Sequence, residues 1–226
     1  MRGVRVTDEK ARHAEAPQWV GPDDGPRGNE RLTAWTGALL IVLLAVEGLT
    51  ILRIHAFVVP HIAVGMVLVA AVLLKIGSTS YRFVRYYTGS AAYRRKGPPR
   101  PLLRVLGPLV VVSTVAVLAS GIALLAFDPG SSTADRLLQL HKASFIVWFA
   151  VMTVHVLTYI WRIPGLLGAE LQPSRANLRP AGFVVRLGLV VGACTAGIVL
   201  AVVTAHLGHS WTGPGRFDGP KHAAAR

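Results

Sequence analysis

The chain has 226 residues, 52% of them hydrophobic and 15% charged. That balance, drawn into long apolar blocks, excludes an ordinary soluble domain and predicts an all-α integral membrane bundle. The net charge of +13 collects in the connections between blocks, so it reads as membrane topology. Nucleic acid is excluded as a partner, because no basic stripe with interleaved aromatics is present.

Residues 1–31 are rich in charge, Gly and Pro and read as a disordered cytoplasmic tail. They hold no apolar core of signal-peptide length, so targeting is expected from the first span itself. His13 in this tail reads as solvated. The first span is expected over residues 32–52. It carries one anomaly, Glu47, about a turn and a half from its outer end. An acid there is either hydrogen-bonded at the interface or a proton acceptor or haem-edge group.

A short outer connection with His55 leads to a second span over 61–80. Pro60 suits the first turn of that helix, His61 stands at its outer end, and Gly65 would let a flat group approach the backbone. Lys75 follows His61 by fourteen residues, on the same face. It either snorkels to the inner surface or partners a cofactor, as a propionate contact or an iron ligand. Residues 81–104, with seven Arg or Lys and four Tyr, suit an inner headgroup layer.

The third span, 105–127, has Gly107, Ser113, Thr114, Ser120 and Gly121 for close packing. The fourth, 137–162, carries His141 and His155, and the remaining segments are expected to pack around it. The fifth, 181–205, has Arg186 near its inner end, able to snorkel, and His206 and His209 beyond its outer end. Residues 210–226 read as a flexible outer tail. Cys194, the single cysteine, lies in the fifth span as a packing thiol. It excludes an intrachain disulfide, a CxxCH haem attachment and an iron–sulfur cluster within the chain.

Orientation follows from charge. With the N-terminus inside, the inner segments hold 16 Lys or Arg and the outer segments 5. The positive-inside rule then puts the N-terminus in the cytoplasm and the C-terminus outside the plasma membrane.

His141 and His155 are fourteen residues apart, about 1400° of helix and roughly 21 Å of rise, so both imidazoles share a face and one sits near each side of the bilayer. His61 and His141 enter their spans from the same side at similar depth. Two imidazoles on neighbouring helices at one level make a bis-histidine haem site, with His55, His206 and His209 as alternatives on the same side. His155 has no second histidine at its level. A five-coordinate haem, an unusual partner such as Lys75, and no inner haem all remain open.

On His61, His141 and His155 the chain resembles the membrane cytochromes b that serve as haem subunits of formate dehydrogenases and hydrogenases, and related small quinol-oxidising cytochromes. The resemblance covers about residues 32–162. Its Ala/Arg/Gly/Val-rich usage is similar to that of actinobacterial membrane proteins. The resemblance implies haem b, with helix four supplying a ligand to each of two haems, helix two the outer partner and helix one the inner partner. It also implies electron exchange with quinone or quinol and a redox partner protein. Here the inner end of helix one, NERLTAWTG, has no histidine, so the inner haem lacks that ligand.

Two other readings stand beside the cytochrome. One is a divalent-metal site, copper or zinc, built from His55, His61, His141, His206 and His209. The other is an accessory membrane subunit with no cofactor.

Overall fold

A computed structural model of the chain describes residues 25–95, 101–162, 164–165, 168 and 182–212. Among the described residues the helices with defined bounds are α1 Gly25–Leu52, α2 Ile54–Tyr87, α3 Ala91–Arg95, α4 Pro101–Leu124, α5 Ser132–Tyr159 and α6 Phe183–Gly208. No strand occurs among the described residues. Five of the helices, all but α3, are long and apolar enough to cross a membrane. The chain is therefore an all-α bundle of the expected class, with outward faces suited to lipid.

The helix ends depart from the sequence expectation in several places. α1 begins at Gly25, inside the segment expected to be a disordered tail, because its first turns bond to α2. Asn29 donates from Nδ2 to the Ser78 carbonyl at 3.0 Å. The Thr33 and Ser78 hydroxyls lie 3.2 Å apart, and Glu30 pairs with Arg82 at 3.7 Å. Tertiary partners override the weak helix propensity of a Gly/Pro-rich stretch. Residues 1–24, including His13, lie outside the described residues.

The expected connection before the second span is itself helical. Only Arg53 separates α1 from α2, and the helical path breaks again at Phe57 (φ −118°, ψ 25°). Pro60 explains that second break: it has no N–H to offer Ala56, and its ring opposes that carbonyl. Pro60 then stands in the first turn of the resumed helix, as expected. At the other end α2 runs to Tyr87, for 34 residues or about 51 Å. That exceeds a hydrocarbon core of about 30 Å, so Arg82, Arg85 and Tyr86 extend past the apolar stretch. Tyr93 of α3 is buried against Tyr81 there, ring centres 6.2 Å apart.

α5 starts five residues earlier than expected because Ser131 caps it, its Oγ accepting from the Ala134 N–H at 3.2 Å. The residue-210 boundary also moves. Trp211, assigned from sequence to a flexible tail, is buried in an apolar cluster with Val58, Leu124 and Ala134.

Packing does not centre on α5. α2 is the hub, in contact with α1 along one side and α6 along the other, while α4 and α5 pair with each other. In α5 only Ala134 is buried. Hydropathy misleads here because lipid-facing and protein-facing surfaces of a span are equally apolar. Close approach is the better marker. A Cβ on Gly197 of α6 would lie 2.8 Å from Cα and 3.0 Å from the carbonyl oxygen of Val67 on α2. Arg186 likewise does not snorkel outward: it is buried, its guanidinium beside Gly28 and Gly182. Cys194 is half-buried in α6.

Among the described residues the two helix sets, α1–α2–α6 and α4–α5, meet sparingly, chiefly between α2 and α4. The Val58–Leu124–Ala134–Trp211 cluster joins them at one end. Between them lies a cavity.

Gly197→Ala should drive α6 off α2, because backbone cannot yield as a side chain can. The expected loss is about 1–3 kcal/mol in unfolding measured in mild detergent. Gly192→Ala, with nothing within 4 Å of the added carbon, should not destabilise.

Candidate functional site

The cavity has a volume of about 1210 Å³, above the roughly 300–1,000 Å³ usual for ligand sites. Its walls are mostly apolar, and its polar groups fall at two levels. Glu47, His61 and His141 stand near one end, Lys75 and His155 near the other. The arrangement follows from helix direction. α2 and α5 both run from the first end to the second, and on each the second residue follows the first by fourteen positions.

His61 and His141 come together. Their ring centres are 6.4 Å apart, with 73° between ring planes. Each ring is held through Nδ1. His61 Nδ1 lies 3.0 Å from Glu47 Oε1 and 3.1 Å from the Thr50 hydroxyl. The Thr50 proton is committed to the Glu47 carbonyl at 2.6 Å, and a carboxylate only accepts. His61 Nδ1 is therefore the donor. His141 Nδ1 lies 3.0 Å from the Val117 carbonyl and 3.1 Å from the Ser120 hydroxyl. A carbonyl only accepts, and Ser120 directs its own proton to the Ala116 or Val117 carbonyl, so this Nδ1 is a donor too.

Both imidazoles thus carry their proton on Nδ1 and leave the Nε2 lone pair open. No described residue bonds Nε2 of either ring. A histidine whose Nδ1–H is tied to a carboxylate or carbonyl is the usual metal-ligating form. Two in-line metal–imidazole bonds of about 2.0–2.1 Å, plus a ring radius of about 1.1 Å on each side, separate ring centres by roughly 6.2–6.4 Å. The observed separation of 6.4 Å lies at the top of that range. In such a pair each ring plane contains the bond axis, and the angle between planes is unrestricted.

Gly121 makes room for the His141 ring: a Cβ there would stand 3.0 Å from His141 Cε1. Gly65, expected to admit a flat group, faces the Glu47 carboxylate at a distance, 3.6 Å from an added Cβ, that an alanine would also allow.

The second level is different. Lys75 does not reach for the surface. Its ammonium donates to the Thr33 carbonyl of α1 at 2.6 Å, and a Cβ on Gly37 would lie 3.4 Å from it. His155 packs against Tyr159, ring centres 4.9 Å apart. No described histidine joins them.

The remaining candidates separate. His55, in the turn before the kink, lines the cavity, but His206 and His209 do not; both are exposed at the end of α6. The outer five-histidine metal site is therefore not assembled. Among the described residues no group of three His, Cys, Asp or Glu side chains is placed to hold a metal ion.

Several contributors escaped sequence reasoning. Thr50, Val117 and Ser120 orient the rings, and Trp148 donates from its indole to Thr114 at 3.0 Å, locking α5 onto α4 beside the cavity. Trp211 lines it as well; a lone Trp in a Gly/Pro-rich tail was the available signal. The Val117 carbonyl left none, since any residue supplies one. Searches against family models, curated proteins and solved structures return no match for this chain.

The Trp148–Thr114 bond should show a coupling of about 0.6 kcal/mol in a double-mutant cycle of Trp148→Phe and Thr114→Val, read from unfolding in detergent. Strict additivity of the two losses would contradict it.

Proposed function

We propose that this chain is a membrane b-type cytochrome that grips haem iron between His61 and His141 and passes electrons between quinol and a redox partner. One observation carries the reading: two imidazoles on facing helices have both Nδ1 atoms tied down, both Nε2 atoms open, and ring centres 6.4 Å apart. Both rings are half-buried, each bonded through its Nδ1 alone. They border a cavity of about 1210 Å³, with apolar walls from α1, α2, α4 and α5.

When bound, haem supplies one-electron chemistry at iron. The chain's own residues do the rest. His61 and His141 offer neutral nitrogen donors. Val58, Leu124 and Trp211 exclude water at that end of the cavity. Gly121 allows α4 to approach the His141 ring. Spanning helices fix the pair's depth, so electrons would be exchanged near one membrane face. The excess of positive charge in the connections at the opposite end supports a plasma-membrane protein with its N-terminus in the cytoplasm and this pair toward the outside. His155 and Lys75 need take no part in holding the iron.

A pyridine haemochrome assay on protein purified from haem-supplied cells tests this. One b-type haem per chain is expected, lost in His61→Ala and in His141→Ala and kept in His155→Ala and His206→Ala. A haem-free wild type, or full haem retention by the His61→Ala/His141→Ala double variant, would contradict the reading.

A further inference from the structure

The two imidazoles differ in what stands behind them. His141 gives its Nδ1 proton to neutral acceptors, the Val117 carbonyl and the Ser120 hydroxyl. His61 gives its proton to a carboxylate. Glu47 is a costly residue in an apolar span. Its Oε1 faces His61 at 3.0 Å, and its Oε2 is buried with no hydrogen-bond partner. Thr50 does not answer that charge, since its proton goes to a backbone carbonyl. Lys75, Arg82 and Lys142 are the cations lining the same cavity; Lys75 follows His61 by fourteen residues along α2, roughly 21 Å by helix rise, and is bound to Thr33, and Arg82 pairs with Glu30.

We infer that Glu47 is a positioning residue that makes His61 the stronger electron donor of the pair and so biases the bound iron toward its oxidised state. A carboxylate on Nδ1 draws the ring toward imidazolate and raises the basicity of Nε2. An anion beside the site in low dielectric also favours the ferric ion, which carries one more positive charge than the ferrous. The inference rests on the haem reading above, and it adds what that reading leaves open: which ligand sets the potential, and through which side chain.

The test compares wild type, Glu47→Gln and Glu47→Asp, each purified with haem, by redox titration and ferric electron paramagnetic resonance. Gln keeps the shape and can still accept the Nδ1 proton, so only the charge is lost. It should retain haem and shift the ferric/ferrous preference about tenfold toward ferrous, an upward move of roughly 59 mV for one electron, with altered ferric g-values. Asp keeps the charge and should stay near wild type. A haem-loaded Gln variant with unchanged potential and g-values overturns this inference and leaves the haem reading standing. A wild type without haem overturns both. Should the Gln variant fail to fold, Asp and Asn at position 47 repeat the comparison, and equal potentials for those two overturn the inference.

Discussion

The site depends on two rings being immobilised from behind. An imidazole in an apolar cavity has two polar nitrogens and few partners, so a partner for one of them fixes the ring. In this bundle each Nδ1 is satisfied by the helix next door: α1 supplies Glu47 and Thr50 to His61, and α4 supplies Val117 and Ser120 to His141. Each helix pair therefore presents one prepared ring, and the two pairs stand apart around the space the rings share. Had α2 and α5 packed directly, both rings would be buried in a seam and nothing could enter between them.

That separation is itself built from identifiable contacts. Gly197 against Val67 draws α6 and α2 together, and the Asn29, Thr33 and Lys75 bonds hold α1 on α2. Trp148 holds α5 on α4. Trp211 closes the space near the rings with Val58, Leu124 and Ala134. The polar bonds within each pair are short and specific, whereas the contact between pairs is a small apolar plug. Cavities of this kind survive because rigid elements on either side are each stabilised independently of what lies between them.

Much of this was legible in the sequence. Five apolar blocks of bilayer length dictated five spans, and entry from the same side placed His61 level with His141. The fourteen-residue spacing on α5 likewise put His155 at the far end of the same wall. What could not be read were features set by partners distant in the chain. Gly25 to Arg31 resembles coil until Ser78 and Arg82 are brought beside it. Pro60 looked like a helix start and also marks a break, because the segment before it is helical in its own right. α5, rich in histidine, drew attention as a centre, yet α2 holds that place, since hydropathy does not distinguish a lipid-facing surface from a packed one. Lys75 looked like a snorkelling residue; the Thr33 carbonyl and the space at Gly37 hold it inward instead. The supports of the two rings include a backbone carbonyl, which no residue type announces.

The central claim is the proposal that His61 and His141 would hold one haem iron between them. Near-infrared magnetic circular dichroism of the oxidised wild-type protein addresses it most directly, because the porphyrin-to-iron charge-transfer band reports which side chains bind the iron. The account predicts a low-spin ferric haem with a bis-imidazole signature. A high-spin signal, a histidine–methionine or histidine–amine signature, or the absence of haem from folded protein would contradict it.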